Sequence, residues 1–82
     1  MEKYIIFARC KILQVSYKKL WKLLIDKNMK KTDLQLAASI SAGTLAKLGR
    51  NETVSMDILM RICTALSCDI GDIVEFINES QK

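Results

Sequence analysis

Lys31-Thr32-Asp33-Leu34-Gln35-Leu36-Ala37-Ala38-Ser39-Ile40-Ser41-Ala42-Gly43-Thr44-Leu45-Ala46-Lys47-Leu48 is the stretch on which the fold turns. Leu34, Ala38, Ile40, Leu45 and Leu48 set an apolar pattern that fits two short helices meeting at a corner. Leu34 and Ala38 lie one turn apart on the earlier helix, Leu45 and Leu48 share a face of the later one, and Ile40 can plug the corner. Ala38 is small, as a close helix crossing requires. Ser41 is a good N-cap type, so the later helix covers about residues 42–48 and Gly49 stops it. The earlier helix covers about residues 32–38, and its start has two competing geometries. Thr32 with Gln35 has capping-box spacing, whereas Met29 with Leu34 has hydrophobic-staple spacing and puts the cap at Lys30. Asp33 in the first turn suits the helix dipole. Only Ser39-Ile40-Ser41 separates the helices, the short joint of a helix-turn-helix. Burial of the inner residues would leave the outer side of the later helix free to enter a major groove.

Upstream, Tyr17, Leu20, Trp21 and Leu24 follow i, i+3, i+4, i+7 spacing. They predict a helix capped by Ser16 and ending near Asn28, a residue that tolerates the left-handed C-cap conformation. Lys18, Lys19 and Lys22 fall on its solvated face, and Trp21 belongs to the core stripe rather than to a base-stacking platform. Residues 4–15 are rich in Ile, Phe, Tyr and Val and read as a strand or an irregular arm. A lone strand needs a partner, and a second copy of the chain is one source. Downstream, Ser55 caps a fourth helix with Met56, Leu59, Ile62, Cys63 and Leu66 as its stripe. Asp69 caps a fifth, with Ile70, Ile73, Val74 and Ile77 on one face. That face exceeds what a small bundle must bury, so part of it is expected to form a homodimer contact. The expected fold is all-α: a five-helix bundle over residues 16–78, preceded by an arm or short strand at 1–15 and followed by a tail at 79–82.

Composition bounds the function. At 82 residues the chain makes one domain with a modest core. Its net charge of +4 is unevenly spread. Residues 1–50 hold eleven bases against three acids and residues 51–82 hold two against six, so the basic front suits a polyanion. Cys10, Cys63 and Cys68 form no C-x-x-C pair and there is no histidine, which points to reduced thiols and no zinc site. The run Tyr4-Ile5-Ile6-Phe7-Ala8 is too short for a signal-peptide core, and no apolar run approaches a membrane span. A cytoplasmic protein without membrane contact is expected. Without histidine, paired carboxylates or a glycine-rich phosphate loop, neither an enzyme nor a cofactor is expected. No segment reads as a sensor for a small-molecule ligand.

The stretch from Lys31-Thr32-Asp33-Leu34 through Thr44-Leu45-Ala46-Lys47-Leu48-Gly49-Arg50-Asn51-Glu52 resembles the phage repressor and Cro (Cro/C1, XRE-type) helix-turn-helix family. The motifs Val54-Ser55-Met56-Asp57-Ile58-Leu59 and Leu66-Ser67-Cys68-Asp69-Ile70-Gly71-Asp72-Ile73 are similar to a compact bacterial subgroup of it. The resemblance covers about residues 16–78. It implies a five-helix lambda-repressor-like fold, double-stranded DNA as ligand, dimeric binding and a transcriptional regulator, with repression as the expected role. The chain departs from the family pattern at three places. Ser39 stands where the family usually has a glycine with φ > 0, Gln35 replaces a small residue, and the reading helix begins Ala42-Gly43. Alanine can touch a thymine methyl but glycine offers a base nothing, so base contact falls to Thr44 and Lys47, with DNA shape supplying the rest. Ser41 and the helix start could hold a phosphate, Gln35 could reach another, and Lys31, Arg50 and Asn51 resemble the family's phosphate-clamping ends. A second reading stays open: an interaction adaptor or antitoxin that reuses the fold with weakened base readout.

Overall fold

The computed structural model describes residues 13–78. Most of the expected arm, Cys10 and the tail at 79–82 lie outside the described residues. Along the chain run β1 (Gln14–Ser16), α1 (Lys18–Asp26), α2 (Lys31–Ala38), α3 (Ala42–Gly49), α4 (Met56–Leu66), a 3-10 turn (Ile70–Asp72) and β2 (Glu75–Ile77). Among the described residues the fold is therefore four α-helices and a two-stranded sheet, not five helices.

The expected fifth helix is the main correction. Ile70, Ile73, Val74 and Ile77 have helical spacing, yet the segment makes one 3-10 turn and then extends. Gly71 weakens a helix there, while Ile73, Val74, Phe76 and Ile77 favour extended backbone. A partner decides the outcome. β2 pairs antiparallel with β1 in the register Gln14↔Ile77, Val15↔Phe76, Ser16↔Glu75. The strand or irregular arm expected over residues 4–15 lies mostly outside the described residues, but Gln14 and Val15 at its end are in β1, which finds its partner within its own chain. This also corrects the start of α1: Ser16 is buried as the last residue of β1, and Tyr17 holds the cap position. Ser16 keeps a trace of the expected role, since its Oγ accepts from Lys18 N at 3.3 Å.

At α2 the staple geometry wins over the capping box at Thr32. Lys30 occupies the cap, its N–H donates to Asp33 Oδ2 at 2.8 Å, and Met29 and Leu34 both join the core. Ser41 and Ser55 cap α3 and α4 as expected, accepting from Thr44 N (3.1 Å) and Ile58 N (3.3 Å). α2 packs along α4 and crosses α3 at the corner. The core gathers Tyr17, Leu20, Leu34, Leu48, Ile62 and Ile73, all essentially without solvent contact, with Ala38 and Ile40 close behind. Met56, expected in the α4 stripe, is exposed, and Ile58 is half-buried in its stead.

All four helices close the same way. The αL residue is Asn28, Ser39, Asn51 or Ser67, with φ between 54° and 58°. In each case the next residue's N–H reaches back five positions: Met29 to Leu24 O, Ile40 to Gln35 O, Glu52 to Lys47 O and Cys68 to Cys63 O, at 2.9–3.1 Å. The αL residue itself donates to the carbonyl three residues before it, completing a Schellman closure. The expectation at Asn28 and Ser39 is met. Gly49, expected to stop α3, is instead its last residue, and the left-handed position falls on Asn51. No glycine occupies any of the four sites. Asparagine tolerates αL because its short amide bonds locally, whereas serine carries the steric cost of its Cβ. Ser67→Gly is expected to raise stability by about 0.5–1 kcal/mol, read as a higher urea midpoint at unchanged slope. A lower midpoint would show that the serine is not strained.

Candidate nucleic-acid interface

The helix-turn-helix corner is tied down from three sides. Ile40 fills it from within, at 7% exposure. Leu48 anchors α3 to the core and Leu45 is half-buried beside it. From outside, Arg61 on α4 donates through Nη1 to Ser39 O at 3.0 Å, and its Nε pairs with Asp57 Oδ2 at 3.0 Å. Arg61 was not singled out from the sequence, because its link to Ser39 spans 22 residues.

With its inner side so fixed, α3 turns Ala42, Gly43, Ala46 and Lys47 to solvent. Thr44 is half-buried, and its Oγ1 accepts from Ser41 Oγ at 3.0 Å, which leaves the threonine hydroxyl proton free to point outward. A Cβ at Gly43 would meet only Ser41 Oγ at 3.8 Å, so nothing in the fold itself demands glycine there. Gln35 is half-buried on α2. Lys31 is exposed, with its Nζ 4.4 Å from the centroid of the Trp21 ring. Trp21 is half-buried against the core, as its spacing indicates, and gives the lysine a face to rest on. Lys18, Lys19 and Lys22 are exposed on the far side of α1, and Lys19 Nζ donates to Gly71 O at 3.1 Å.

The loop after α3 differs most from a simple row of cations. Arg50 and Asn51 are both exposed, yet both are engaged. Arg50 Nε pairs with Glu52 Oε2 at 2.7 Å, and this hydrogen bond holds the Glu52 carboxyl below the usual carboxylate range. Asn51 Oδ1 accepts from Tyr17 N at 3.2 Å, so its NH₂ group faces away from that contact as a donor. The Tyr17 hydroxyl donates to Glu52 O at 2.8 Å, and burial pushes the phenol pKa up, which keeps it protonated. Sequence reasoning placed Tyr17 on an apolar face and missed this link of 35 residues. The signal was available in principle, because a buried tyrosine needs a hydroxyl partner. A shallow groove lined by Gln14, Val15, Lys47, Arg50, Asn51 and Glu52 runs between β1 and this loop.

Among the described residues no cluster of three or more His, Cys, Asp or Glu side chains could hold a metal, and no helix is long and apolar enough to cross a membrane. Cys63 and Cys68 are free thiols, and burial together with the Cys68 neighbour pushes Cys63 up to about 11.

An exposed, singly anchored third helix behind a short capped corner defines a helix-turn-helix domain. Residues 19–79 match the Cro/C1-type HTH DNA-binding domain family, and the chain belongs to it. The crystal structure of transcriptional regulator VanUg is similar at 48% identity, with a TM-score of 0.82 over 96% of this chain and 100% of that one. No curated protein matches the chain.

Tyr17→Phe removes one buried hydroxyl and leaves the ring. It is expected to cost about 0.5–1.5 kcal/mol in urea unfolding and to raise hydrogen exchange in the loop at residues 50–53. Unchanged loop exchange would show that the hydroxyl does not hold the loop.

Proposed function

We propose that the protein is a transcriptional regulator, acting as a repressor in a bacterial cytoplasm, that sets α3 in the major groove of its operator. The observation that carries this is the two-sidedness of α3: Leu48 has no solvent contact, while Ala42, Gly43 and Lys47 face out. Thr44 and Lys47 are assigned to base edges, and Ala42 to a thymine methyl. Gly43 lets the helix start approach closely. Lys31, Gln35, Arg50, Asn51 and the Ser41-capped end of α3 are assigned to phosphates. The similar VanUg structure, a transcriptional regulator by description, supports the regulatory role.

The competing adaptor or antitoxin reading draws on exposed apolar side chains, notably Leu36 at 78% and Met60 at 62%. Salt dependence separates the two. With about four to six phosphates neutralised, binding to a mixed-sequence duplex should fall with a log–log salt slope of roughly −4 to −5, and Lys31→Ala should make it shallower by about one. Absence of binding at low salt, with a second protein co-purifying, would replace the regulator with the adaptor.

The regulator reading includes a homodimer. Ile73 is consumed by the core, so the contact surface left from the C-terminal segment centres on Phe76, 67% exposed and paired with Val15 across the sheet. Sedimentation should show dimers at high micromolar concentration or on DNA. A strict monomer in both conditions would remove the dimer.

A further inference from the structure

The closure of α4 brings Cys63 and Cys68 together. They stand at the two ends of the Schellman bond, where Cys68 N donates to Cys63 O at 3.0 Å. Standard bond lengths then keep their α-carbons within about 7 Å, the outer reach of a disulfide. Side chains at these two positions of the motif commonly touch, and here the thiols adjoin: Cys63 is pushed up to about 11, by burial first and then by Cys68 beside it. Both thiols are free and half-buried, so each keeps a way to solvent. Cys68 opens on a groove that it shares with Lys22, Lys27 and Ser67, and Cys63 on one that it shares with Met56 and Met60. The closure itself asks only for two apolar side chains, so packing does not explain why both are sulfur.

We propose that Cys63 and Cys68 form a modification site, oxidised reversibly to an intrachain disulfide by low-molecular-weight disulfides. Cys68, as its thiolate, attacks one sulfur of the reagent. The reagent's S–S bond breaks, Cys68 is left in a mixed disulfide and the first thiolate departs. Cys63 then gives its proton to solvent and attacks Cys68 Sγ. The mixed disulfide breaks, the Cys63–Cys68 bond forms and the second thiolate leaves. Two cysteine thiols are thus oxidised, one reagent disulfide is reduced to two thiols, and the two cysteine protons are taken up by the departing thiolates. The environment sets the order. Cys63 holds its proton while the Cys68 thiol stands beside it, so Cys68 attacks first. Once capped, Cys68 can no longer carry a charge, and that part of what raises Cys63 is gone. The site stands apart from the regulator reading, since no step involves DNA.

The test uses the full chain with Cys10→Ser, which leaves the pair as its only thiols, and glutathione disulfide as the probe. The folded protein should lose about 2 Da, carry no adduct and regain the mass with dithiothreitol. Peptide mapping should place the bond between Cys63 and Cys68 of one chain, and should find the same bond in the chain that keeps Cys10. Adding Cys63→Ser should halt the reaction at a lasting glutathione adduct on Cys68. Adding Cys68→Ser instead should slow adduct formation at Cys63 about tenfold relative to that at Cys68. Because the fold holds the thiols together, the native chain should keep its disulfide at a glutathione ratio about tenfold more reducing than the urea-unfolded chain does. Two unreacted thiols, a lasting adduct on the intact pair, a bond between two chains, or equal disulfide stability in the folded and unfolded chains would each overturn the proposal.

Discussion

Burial of Leu48 is the constraint on which the molecule depends. α3 is only eight residues long and has too few internal hydrogen bonds to persist alone. It exists because one face is drawn into the core, where Leu48 meets a cluster that includes Leu34, Ile40 and Ile62. Fully burying a leucine contributes about 1.5–3 kcal/mol, more than any cap or surface ion pair in the structure. The same burial fixes the helix rotation. Ala42, Gly43 and Lys47 face water because Leu48 cannot.

Around that anchor the chain uses one device four times. Each helix ends in a six-residue closure with asparagine or serine in αL, and each closure sends the backbone off at a sharp angle. At Ser39 this makes the helix-turn-helix corner. At Asn51 it brings the loop after α3 back under Tyr17, where the phenol hydroxyl and the main-chain N–H are both satisfied by loop groups. Tyr17 directly follows β1, so the small sheet and the loop after α3 share an attachment. The face of α3 and the charges beside it are thus carried on one rigid frame.

Much of this was legible in the residues. The corner at 39–41, the caps Ser41 and Ser55, and the inner positions Leu34, Ala38, Ile40 and Leu48 follow from local spacing and cap chemistry, which act over a few residues. Leu36 shows the limit of composition: it is as apolar as its neighbours, but it falls off the stripe and stays exposed. The nine expected interface residues divide on burial: Gln35 and Thr44 are half-buried and the rest exposed. What the sequence did not show is how Arg50 and Asn51 are occupied, because their partners are Glu52 across a turn and Tyr17, 34 residues before Asn51.

Residues close in the chain determined where the helices and corner of the helix-turn-helix fall, since caps, turns and helical stripes are local signals, while burial of Leu48 makes α3 persist. Only tertiary structure decided the fate of the segment after Asp69. Its isoleucines and valine satisfy a helical pattern and a strand equally well, and the two states differ by little until Gln14–Ser16 offers backbone partners from the other end of the chain. Local preference could not choose between them; a hydrogen-bonded ladder between termini did.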